Sequence, residues 1–388
     1  MRKVTIGDLG DIYTGNTPSK KNVEFYDSED IMFIKPDILD FDINTINESN
    51  EYVSERAREK ARIIPKDSLL VSCIGNIGKL GINKKEAAFN QQINAIVHNE
   101  KIVSSRYLAY LIKYNQKKLE AIANAPVVPI INKTQFSNFE LFIHENLETQ
   151  NKIVEVLDKA QYLIEKKKEQ IELLDELVKS RFIEMFGDFD SNIYKFEKVK
   201  MNELCLKITD GTHKTPEYIN EGIKFISAKD IKTGKVDLTN TKYISNEEYE
   251  VIQKRCQLKK GDILLSKSGS IGTPVILDTD EPLGIFESLA VLKIKEDLIN
   301  NKYFCEFLKS DSVQRKILFG TKGVAIKHLH LNVLKDLDVV LPPIELQNEF
   351  AEFVTKTDSI RSKMEASLSE LEDNFNSLMQ KAFKGELF

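Results

Sequence analysis

A short block of sequence occurs twice in this chain, at an offset of 194 residues. Ser68-Leu-Leu-Val-Ser-Cys-Ile-Gly-Asn-Ile-Gly78 aligns without a gap with Asp262-Ile-Leu-Leu-Ser-Lys-Ser-Gly-Ser-Ile-Gly272. Other pairs lie at nearly the same offset, including Gly15-Asn-Thr-Pro18 with Gly211-Thr-His-Lys-Thr-Pro216 and Gln150-Asn151 with Gln347-Asn348. Self-similarity at one offset indicates a repeated structural unit, so we expect one module built twice.

Each module ends in a stretch whose apolar residues recur at alternating steps of four and three, which is the heptad pattern of a coiled-coil seam. A helix over 148–187 would be about 60 Å long, more than one small domain can cover. We therefore expect the two helices to pair with each other, although each could instead pack on its own globular neighbour. The second seam has an irregular step between Ile360 and Leu368. The predicted seam residues are Ile153, Leu157, Ile164, Ile171, Leu174 and Val178 in the first helix, and Phe350, Phe353, Ile360, Met364, Leu368, Leu371, Phe375 and Leu378 in the second.

The segments before each helix contain short apolar or alternating runs bounded by Gly, Pro or Asn, a pattern that predicts strands. The predicted fold is α+β, with two similar strand-rich α/β domains separated by two long antiparallel helices that form an intramolecular coiled coil. The expected segments are a domain at 1–147, a helix at 148–187, a second domain at 188–341 and a helix at 342–388. This order predicts a pseudo-two-fold relation between the domains.

The net charge of -5 is unevenly distributed. The helical segments 148–190 and 342–388 carry -4 each, whereas 1–147 is neutral and 191–341 carries +3. The strand-rich segments can therefore face DNA. The four cysteines form no Cys-x-x-Cys pair, which argues against a zinc ribbon or a disulfide framework. No apolar run is long enough to span a membrane and no signal-peptide core follows Met1, so we expect a cytoplasmic protein without a membrane partner.

Motifs for catalysis are missing from the sequence. An adenine methyltransferase needs an Asn/Asp-Pro-Pro-aromatic loop, but Pro342-Pro343 is flanked by Leu341 and Ile344. The Gly-x-x-Gly-Lys79 run lacks the following hydroxyl residue that a phosphate-binding loop requires. The His-x-His spacing at 328–330 arises often in strands and turns, so we expect no metal site. These absences favour a non-catalytic protein.

Three motifs together resemble the specificity subunit of type I restriction-modification systems. They are the duplicated Leu-x-Ser-x-x-Gly-x-Ile-Gly block, the helix start Leu341-Pro-Pro-Ile-Glu-Leu-Gln347 and the ending Gln380-Lys-Ala-Phe-Lys-Gly-Glu-Leu387. The resemblance covers essentially the whole chain. It departs at the first helix start, where His144-Glu145-Asn146 stands in place of Pro342-Pro343-Ile344.

The resemblance implies two target-recognition domains, each reading a few base pairs of a split double-stranded DNA sequence. It further implies that the helices dock two methyltransferase subunits, and through them nuclease-translocase subunits. S-adenosylmethionine would bind the methyltransferase subunits, and this chain would bind no cofactor. Two alternatives stay open from the residues alone: a free-standing enzyme that modifies or cleaves DNA, and a coiled-coil scaffold without sequence-specific DNA binding.

DNA-contacting residues should be polar and repeated in position, yet different in identity, because the two halves should read different bases. In the first module the candidates are Thr14, Gly15, Asn16, Thr17, Lys20, Ser72, Gly75, Asn76, Lys79, Gln91, Gln92 and Lys133. In the second they are Thr212, His213, Lys214, Ser266, Lys267, Ser268, Gly269, Ser270, Lys322 and Lys327.

Overall fold

The computed structural model of the chain describes residues 1–123, 128–231, 234–319 and 328–388. The chain divides into two units by its internal contacts. Unit 1 consists of Met1–Lys168 with Ala366–Phe388, and unit 2 consists of Glu169–Glu365. Each long helix is therefore shared, since one part of it belongs to unit 1 and the other part to unit 2.

Unit 1 contains a five-stranded sheet in the order β2-β10-β7-β8-β4, a four-stranded sheet in the order β5-β3-β9-β6 and the pair β1-β11. Its strands are β1 (Arg2–Thr5), β2 (Gly10–Thr14), β3 (Ile31–Ile34), β4 (Ile43–Ile46), β5 (Tyr52–Val53), β6 (Ile63–Ile64), β7 (Leu69–Ser72), β8 (Leu80–Asn83), β9 (Ala87–Phe89), β10 (Ile93–His98) and β11 (Glu140–Ile143). Its helices are α1 (Ser105–Tyr114), α2 (Gln116–Ala121), α3 (Lys133–Ser137), the first part of α4 (Leu147–Phe186) and the last part of α10 (Ile344–Lys384).

Unit 2 contains a four-stranded sheet in the order β13-β19-β16-β17, a three-stranded sheet in the order β15-β14-β18 and the pair β12-β20. Its strands are β12 (Glu197–Lys200), β13 (Cys205–Asp210), β14 (Ile223–Ile226), β15 (Lys242–Ile244), β16 (Ile263–Ser266), β17 (Pro274–Ile276), β18 (Leu283–Ile285), β19 (Leu289–Ile294) and β20 (Asp338–Leu341). Its helices are the last part of α4, α5 (Met201–Leu204), α6 (Asn246–Cys256), α7 (Asn301–Lys309), α8 (Asp311–Phe319), α9 (Leu331–Lys335) and the first part of α10 (Ile344–Lys384).

The two units share one topology. The order β2-β10-β7-β8 in unit 1 corresponds to β13-β19-β16-β17 in unit 2, and β5-β3-β9 corresponds to β15-β14-β18. The prediction of two similar strand-rich domains is therefore confirmed. The clearest difference is α6, where unit 1 has only a 3-10 turn at Glu55–Ala57. Helix α6 forms because Ser245 caps it and acidic residues occupy its first turn.

The central strand of each unit is buried on both faces. In β7, Leu69 and Val71 pack in the same cluster as α1, whereas Leu70 packs in the cluster formed with β3 and β9. In β16, Ile263 and Leu265 face the helix side, and Leu264 faces the second sheet. Successive side chains of a strand point to opposite faces, so a continuous apolar run is what a strand between two layers requires.

The long helices pair inside each unit. In unit 1, Ile153, Leu157 and Ile164 pack in one core with Phe375 and Met379. In unit 2, Phe182 and Phe186 pack against Phe350 with ring centroids 5.2 and 5.6 Å apart. The beginning of α4 thus lies beside the end of α10 in unit 1, and the end of α4 lies beside the beginning of α10 in unit 2. The pairing is antiparallel, as the sequence predicts.

One predicted seam residue is wrong. The side chain of Ile360 is 48% exposed, and the neighbouring Arg361 takes the seam position with its side chain 14% exposed and its guanidinium 2.6 Å from Asp175 Oδ1. The aliphatic part of an arginine can cover apolar surface while its charged end is paired. With Thr357 and Arg361 in the seam, the two consecutive steps of four move from Ile360–Leu368 to Phe353–Arg361. Of the other predicted seam residues, Ile153, Leu157, Ile164, Leu174, Val178, Phe350 and Phe375 are buried, whereas Ile171, Phe353, Met364, Leu368, Leu371 and Leu378 are half-buried.

A repeated glutamine fastens the start of each long helix. Gln150 Nε2 donates to His144 O and Ile102 O at 2.7 and 2.9 Å. Gln347 Nε2 donates to Pro342 O at 2.8 Å in the equivalent arrangement. The first helix lacks the prolines of the second, and there the Asn146 side chain accepts from the Glu148 N–H at 2.8 Å, which caps the first turn. The duplicated Gln is therefore a structural feature of both units.

Replacing Phe350 with Ala should lower the free energy of unfolding of unit 2 by about 3 to 5 kcal/mol, because it removes a fully buried ring from an aromatic cluster. Ile360→Ala on the same helix is the matched control and should change it by no more than about 0.5 kcal/mol. Denaturant titration of both variants gives the comparison. If Ile360→Ala lowered the free energy of unfolding nearly as much as Phe350→Ala, Ile360 would be a seam residue after all.

Candidate nucleic-acid interface

The duplicated loop of unit 1 is closed by a buried serine. The Ser72 hydroxyl donates to Asn76 O and accepts from the Lys79 N–H at 2.9 Å. Gly75 and Gly78 have φ of 75° and 85°, a left-handed conformation that favours glycine. Beside Gly78, an added Cβ would lie 2.8 Å from Gln116 Cγ, whereas nothing lies within 4 Å of the Gly75 position. The loop therefore has a packed base and an open tip.

Unit 2 repeats this construction. The Ser266 hydroxyl donates to Ser270 O and accepts from the Thr273 N–H at 2.9 Å. Gly269 and Gly272 again have positive φ, of 69° and 87°. Both serines are fully buried, so their hydroxyls are used inside the protein. This corrects the prediction that Ser72 and Ser266 offer hydrogen bonds to DNA.

Several segments of unit 1 meet around this loop. The Cys73 N–H donates to Gln92 O at 2.8 Å, and the Ile131 N–H donates to Cys73 O at 2.9 Å. The Thr17 hydroxyl donates to Gln91 Oε1 at 2.8 Å. These bonds connect the loop after β2, the duplicated loop after β7, the β9–β10 turn and the segment that leads into α3. Thr17, Gln91 and Gln92 are thus brought to the same edge as the duplicated loop.

Two basic residues that sequence reasoning missed lie at the same edge. Asn16 Nδ2 donates to Lys60 O at 2.6 Å, and the Arg62 N–H donates to Asn16 Oδ1 at 2.6 Å. Lys60, Arg62, Lys20 and Lys133 are exposed, and within the part of the chain that the structure describes none of the four makes an ion pair. Exposed, unpaired cations beside polar loop tips form a surface suited to phosphate and base contacts.

The equivalent edge of unit 2 contains a buried ion pair. Lys267 Nζ lies 2.6 Å from Asp210 Oδ2, and both side chains are only 3% exposed. Arg255 also bonds the Asp210 carboxylate, and its Nε donates to Asp210 O at 3.1 Å. Burial raises the pKa of the Asp210 carboxyl, but hydrogen bonds from Lys267 and Arg255 outweigh burial and hold that pKa below its ordinary value. The prediction that Lys267 faces DNA is therefore wrong, because its ammonium group is used inside the unit.

The two units carry different chemistry at corresponding positions. In unit 1, the Thr14 hydroxyl donates to Asn94 Oδ1 at 2.6 Å, and Asn94 Nδ2 lies 3.3 Å from Cys73 Sγ. Thr14 faces Asn94 across the β2–β10 pair, as Asp210 faces Ala290 across the β13–β19 pair. A neutral network in unit 1 thus stands where unit 2 has a charged one. The two units therefore share a frame and differ in the charge of the groups that it holds.

The structure places the predicted contact residues in four groups. Exposed ones are Asn16, Thr17, Lys20, Gly75, Asn76, Gln91, Lys133, His213, Lys214, Gly269 and Ser270, and half-buried ones are Thr14, Lys79, Gln92, Thr212 and Ser268. Gly15, Ser72, Ser266 and Lys267 are buried, so Gly15 also offers no open surface. Lys322 and Lys327 lie outside the described residues. Among the residues that the structure describes, no group of three His, Cys, Asp or Glu side chains is placed to hold a metal ion.

Comparison with known families decides the assignment. The family model for the type I restriction modification DNA specificity domain matches residues 1–173 and 194–373. The chain belongs to this family. The two matched stretches fall on the two modules of the repeat, so each module accounts for one specificity domain.

Individual proteins agree with the family assignment. The MjaIX type I restriction enzyme specificity subunit of Methanocaldococcus jannaschii is 25% identical over 372 residues, which covers 90% of this chain and 84% of that protein. The EcoBI specificity subunit of Escherichia coli is 33% identical over 173 residues, 44% of this chain and 36% of that protein. These relatives are specificity subunits of restriction enzymes, and the present chain is accordingly a non-catalytic specificity subunit.

Solved structures share the fold. The S subunit of a type I restriction-modification system from M. genitalium aligns with a TM-score of 0.56 at 16% identity, over 98% of this chain and 96% of that chain. A chain from a study of complex assembly and conformational transition of the type I R-M system aligns with a TM-score of 0.63 at 15% identity, over 100% of this chain and 98% of that chain. None of the helices in the described ranges has the length and apolar character needed to cross a membrane.

Ser266→Ala should destabilise unit 2 by about 1 to 3 kcal/mol, because the Thr273 N–H and the Ser270 carbonyl lose their shared partner inside the loop. Ser270→Ala is the control, since its side chain is exposed and its carbonyl is retained; it should stay within about 0.5 kcal/mol of the parent. Denaturant unfolding distinguishes the two. Equal stability of both variants would show that the buried hydroxyl does not organise the loop.

Proposed function

We propose that this specificity subunit reads a two-part sequence in double-stranded DNA, with one half-site for each unit. The observation that carries the proposal is the repeated loop frame, which has the same serine and glycines in both units but different side chains at Thr14 and Asp210, and at Cys73 and Lys267. Two copies of one frame that hold different side chains suit two different words. A cytoplasmic location follows from this role.

The second part of the proposal concerns partners. The helices α4 and α10 dock two methyltransferase subunits, and the nuclease-translocase subunits join through them. Exposed large apolar side chains on α4 support this assignment, because such residues mark interaction surfaces when they occur together; they are Tyr162, Leu163, Leu173, Leu177 and Ile183. S-adenosylmethionine belongs to the methyltransferase subunits and supplies the methyl group there.

The charge distribution further supports shared DNA binding. Residues 1–147 have no net charge and 191–341 carry only +3. Non-specific affinity for DNA comes mostly from cations that neutralise phosphates. A specificity subunit with so little excess positive charge provides sequence reading, and its partners provide much of the phosphate binding.

A salt titration tests this division. The logarithm of the DNA-binding constant should fall less steeply with the logarithm of salt concentration for the chain alone than for its complex with methyltransferase subunits, because fewer counterions are released. Fluorescence anisotropy on one duplex measures both slopes. Equal slopes would mean that this chain supplies all the phosphate contacts.

Lengthening both helices tests the two-part reading. One heptad inserted after Lys168 in α4 and one before Ala366 in α10 adds about 10 Å and returns each seam to nearly the same face. Selection from a randomised duplex library should give unchanged half-sites separated by about 3 additional base pairs, at 3.4 Å per base pair. An unaltered gap would contradict the role of the helices as the spacer.

A further inference from the structure

Arg255 is held in a fixed orientation at the candidate interface of unit 2. It lies in the last turn of α6, and one edge of its guanidinium bonds Asp210 twice, through Nε to the main-chain carbonyl and through Nη2 to the carboxylate. The side chain is nevertheless 47% exposed. An exposed arginine normally samples many rotamers, and a two-point contact with a buried carboxylate removes most of that freedom.

The contact is more than charge compensation. Lys267 already neutralises the Asp210 carboxylate, and both of these side chains are buried. Arg255 therefore adds a second cation to a carboxylate that has its partner. The arrangement places a positive group at the surface and anchors it from below.

His213 lies beside the same Nη2 group that bonds Asp210. Its Nε2 is 3.1 Å from Arg255 Nη2 and 3.3 Å from Asp210 Oδ1, and its Nδ1 is 3.0 Å from Glu287 Oε2. Arg255 Nη1 has no hydrogen-bond partner among the described residues. Once His213 is displaced, Nη1 and Nη2 present two parallel N–H groups to a ligand.

Two parallel N–H donors match one base edge in particular. Guanine shows two acceptors, O6 and N7, in the major groove, and arginine binds them in a bidentate manner. Adenine shows a donor beside its N7 and would place that donor against a cation that cannot accept. The geometry of Arg255 thus selects guanine among the four bases.

We propose that Arg255 is a specificity-determining residue that reads a guanine in the half-site of unit 2, with Asp210 and Lys267 as positioning residues. This inference rests on the proposed function, since it names a base within one half-site. Unit 1 also has an exposed arginine, Arg62, directly before β6. Its guanidinium lies over the Tyr13 ring, 5.8 Å from the ring centroid, and has no carboxylate partner among the described residues. The same rigid reader is therefore expected in unit 2 only.

The test is selection from a fully randomised duplex library with the full-length chain bound to its methyltransferase subunits. The parent should yield a two-part consensus with an invariant guanine in one half. Arg255→Ala and Arg255→Lys should each lose preference for that guanine by on the order of 10- to 100-fold and leave every other position unchanged. Lysine keeps the positive charge but lacks the two parallel N–H donors. Arg255→Lys therefore distinguishes loss of the bidentate contact from loss of charge alone.

Lys254→Ala is the matched control, because Lys254 is an exposed neighbour in the same turn of α6. It should weaken binding to all sequences alike and keep the consensus. Asp210→Asn should reduce the preference at the same guanine without altering the other half-site. A purely structural role of Asp210 would instead lower the melting temperature and leave the consensus intact.

The outcomes separate the two levels of the proposal. A two-part consensus that stays the same in both Arg255 variants overturns the role of Arg255 and leaves the proposed function standing. The absence of any two-part consensus for the parent complex overturns the proposed function and this inference with it. Loss of the guanine in the two Arg255 variants, and not in Lys254→Ala, supports the assignment.

Discussion

The rest of the structure depends on one constraint: two helices of about 40 residues must each bury an apolar stripe along their length. Helix α4 spans 40 residues and α10 spans 41, too long for the sheets of one unit to cover. Each helix contributes to both units. Its apolar residues join the core of unit 1 over one part of the helix and the core of unit 2 over the other part. The core of each unit thus includes a helix segment from the other copy of the repeat, the end of α10 in unit 1 and the end of α4 in unit 2.

Within each unit, a rigid base supports a variable edge. The buried serine, the positive-φ glycines and the glutamine that fastens the long helix recur in both copies. Beside this base, a neutral Thr14–Asn94–Cys73 network in unit 1 stands where unit 2 has the Asp210–Lys267–Arg255 cluster. Under the proposed function, this combination of a repeated base and different neighbouring side chains is what lets the two units read different DNA words.

Sequence patterns predicted much of the fold because they are local or repeated. The heptad spacing identified both long helices, and the duplicated block identified the central strand of each unit. The heptad pattern predicts Ile360 in the seam because it takes only apolar residues into account. In the structure, Arg361 buries its aliphatic stem there instead. The sequence predicts that the two serines contact DNA, because nothing in a glycine-rich loop sequence indicates that the hydroxyl is buried. Local patterns do not reveal the Asp210 cluster, because Arg255 and Lys267 lie 45 and 57 residues from Asp210 along the chain. Lys267, directly after the apolar strand β16, is a sequence signal of a buried partner.

The central claim is that two similar units read two separate parts of one DNA target. Mapping of methylated adenines across a genome, in cells that contain this specificity subunit with its methyltransferase subunits, tests it most directly. Two-part reading should give one motif composed of two defined segments separated by a gap of constant length and undefined sequence. A single uninterrupted motif, or two segments separated by gaps of varying length, would contradict it.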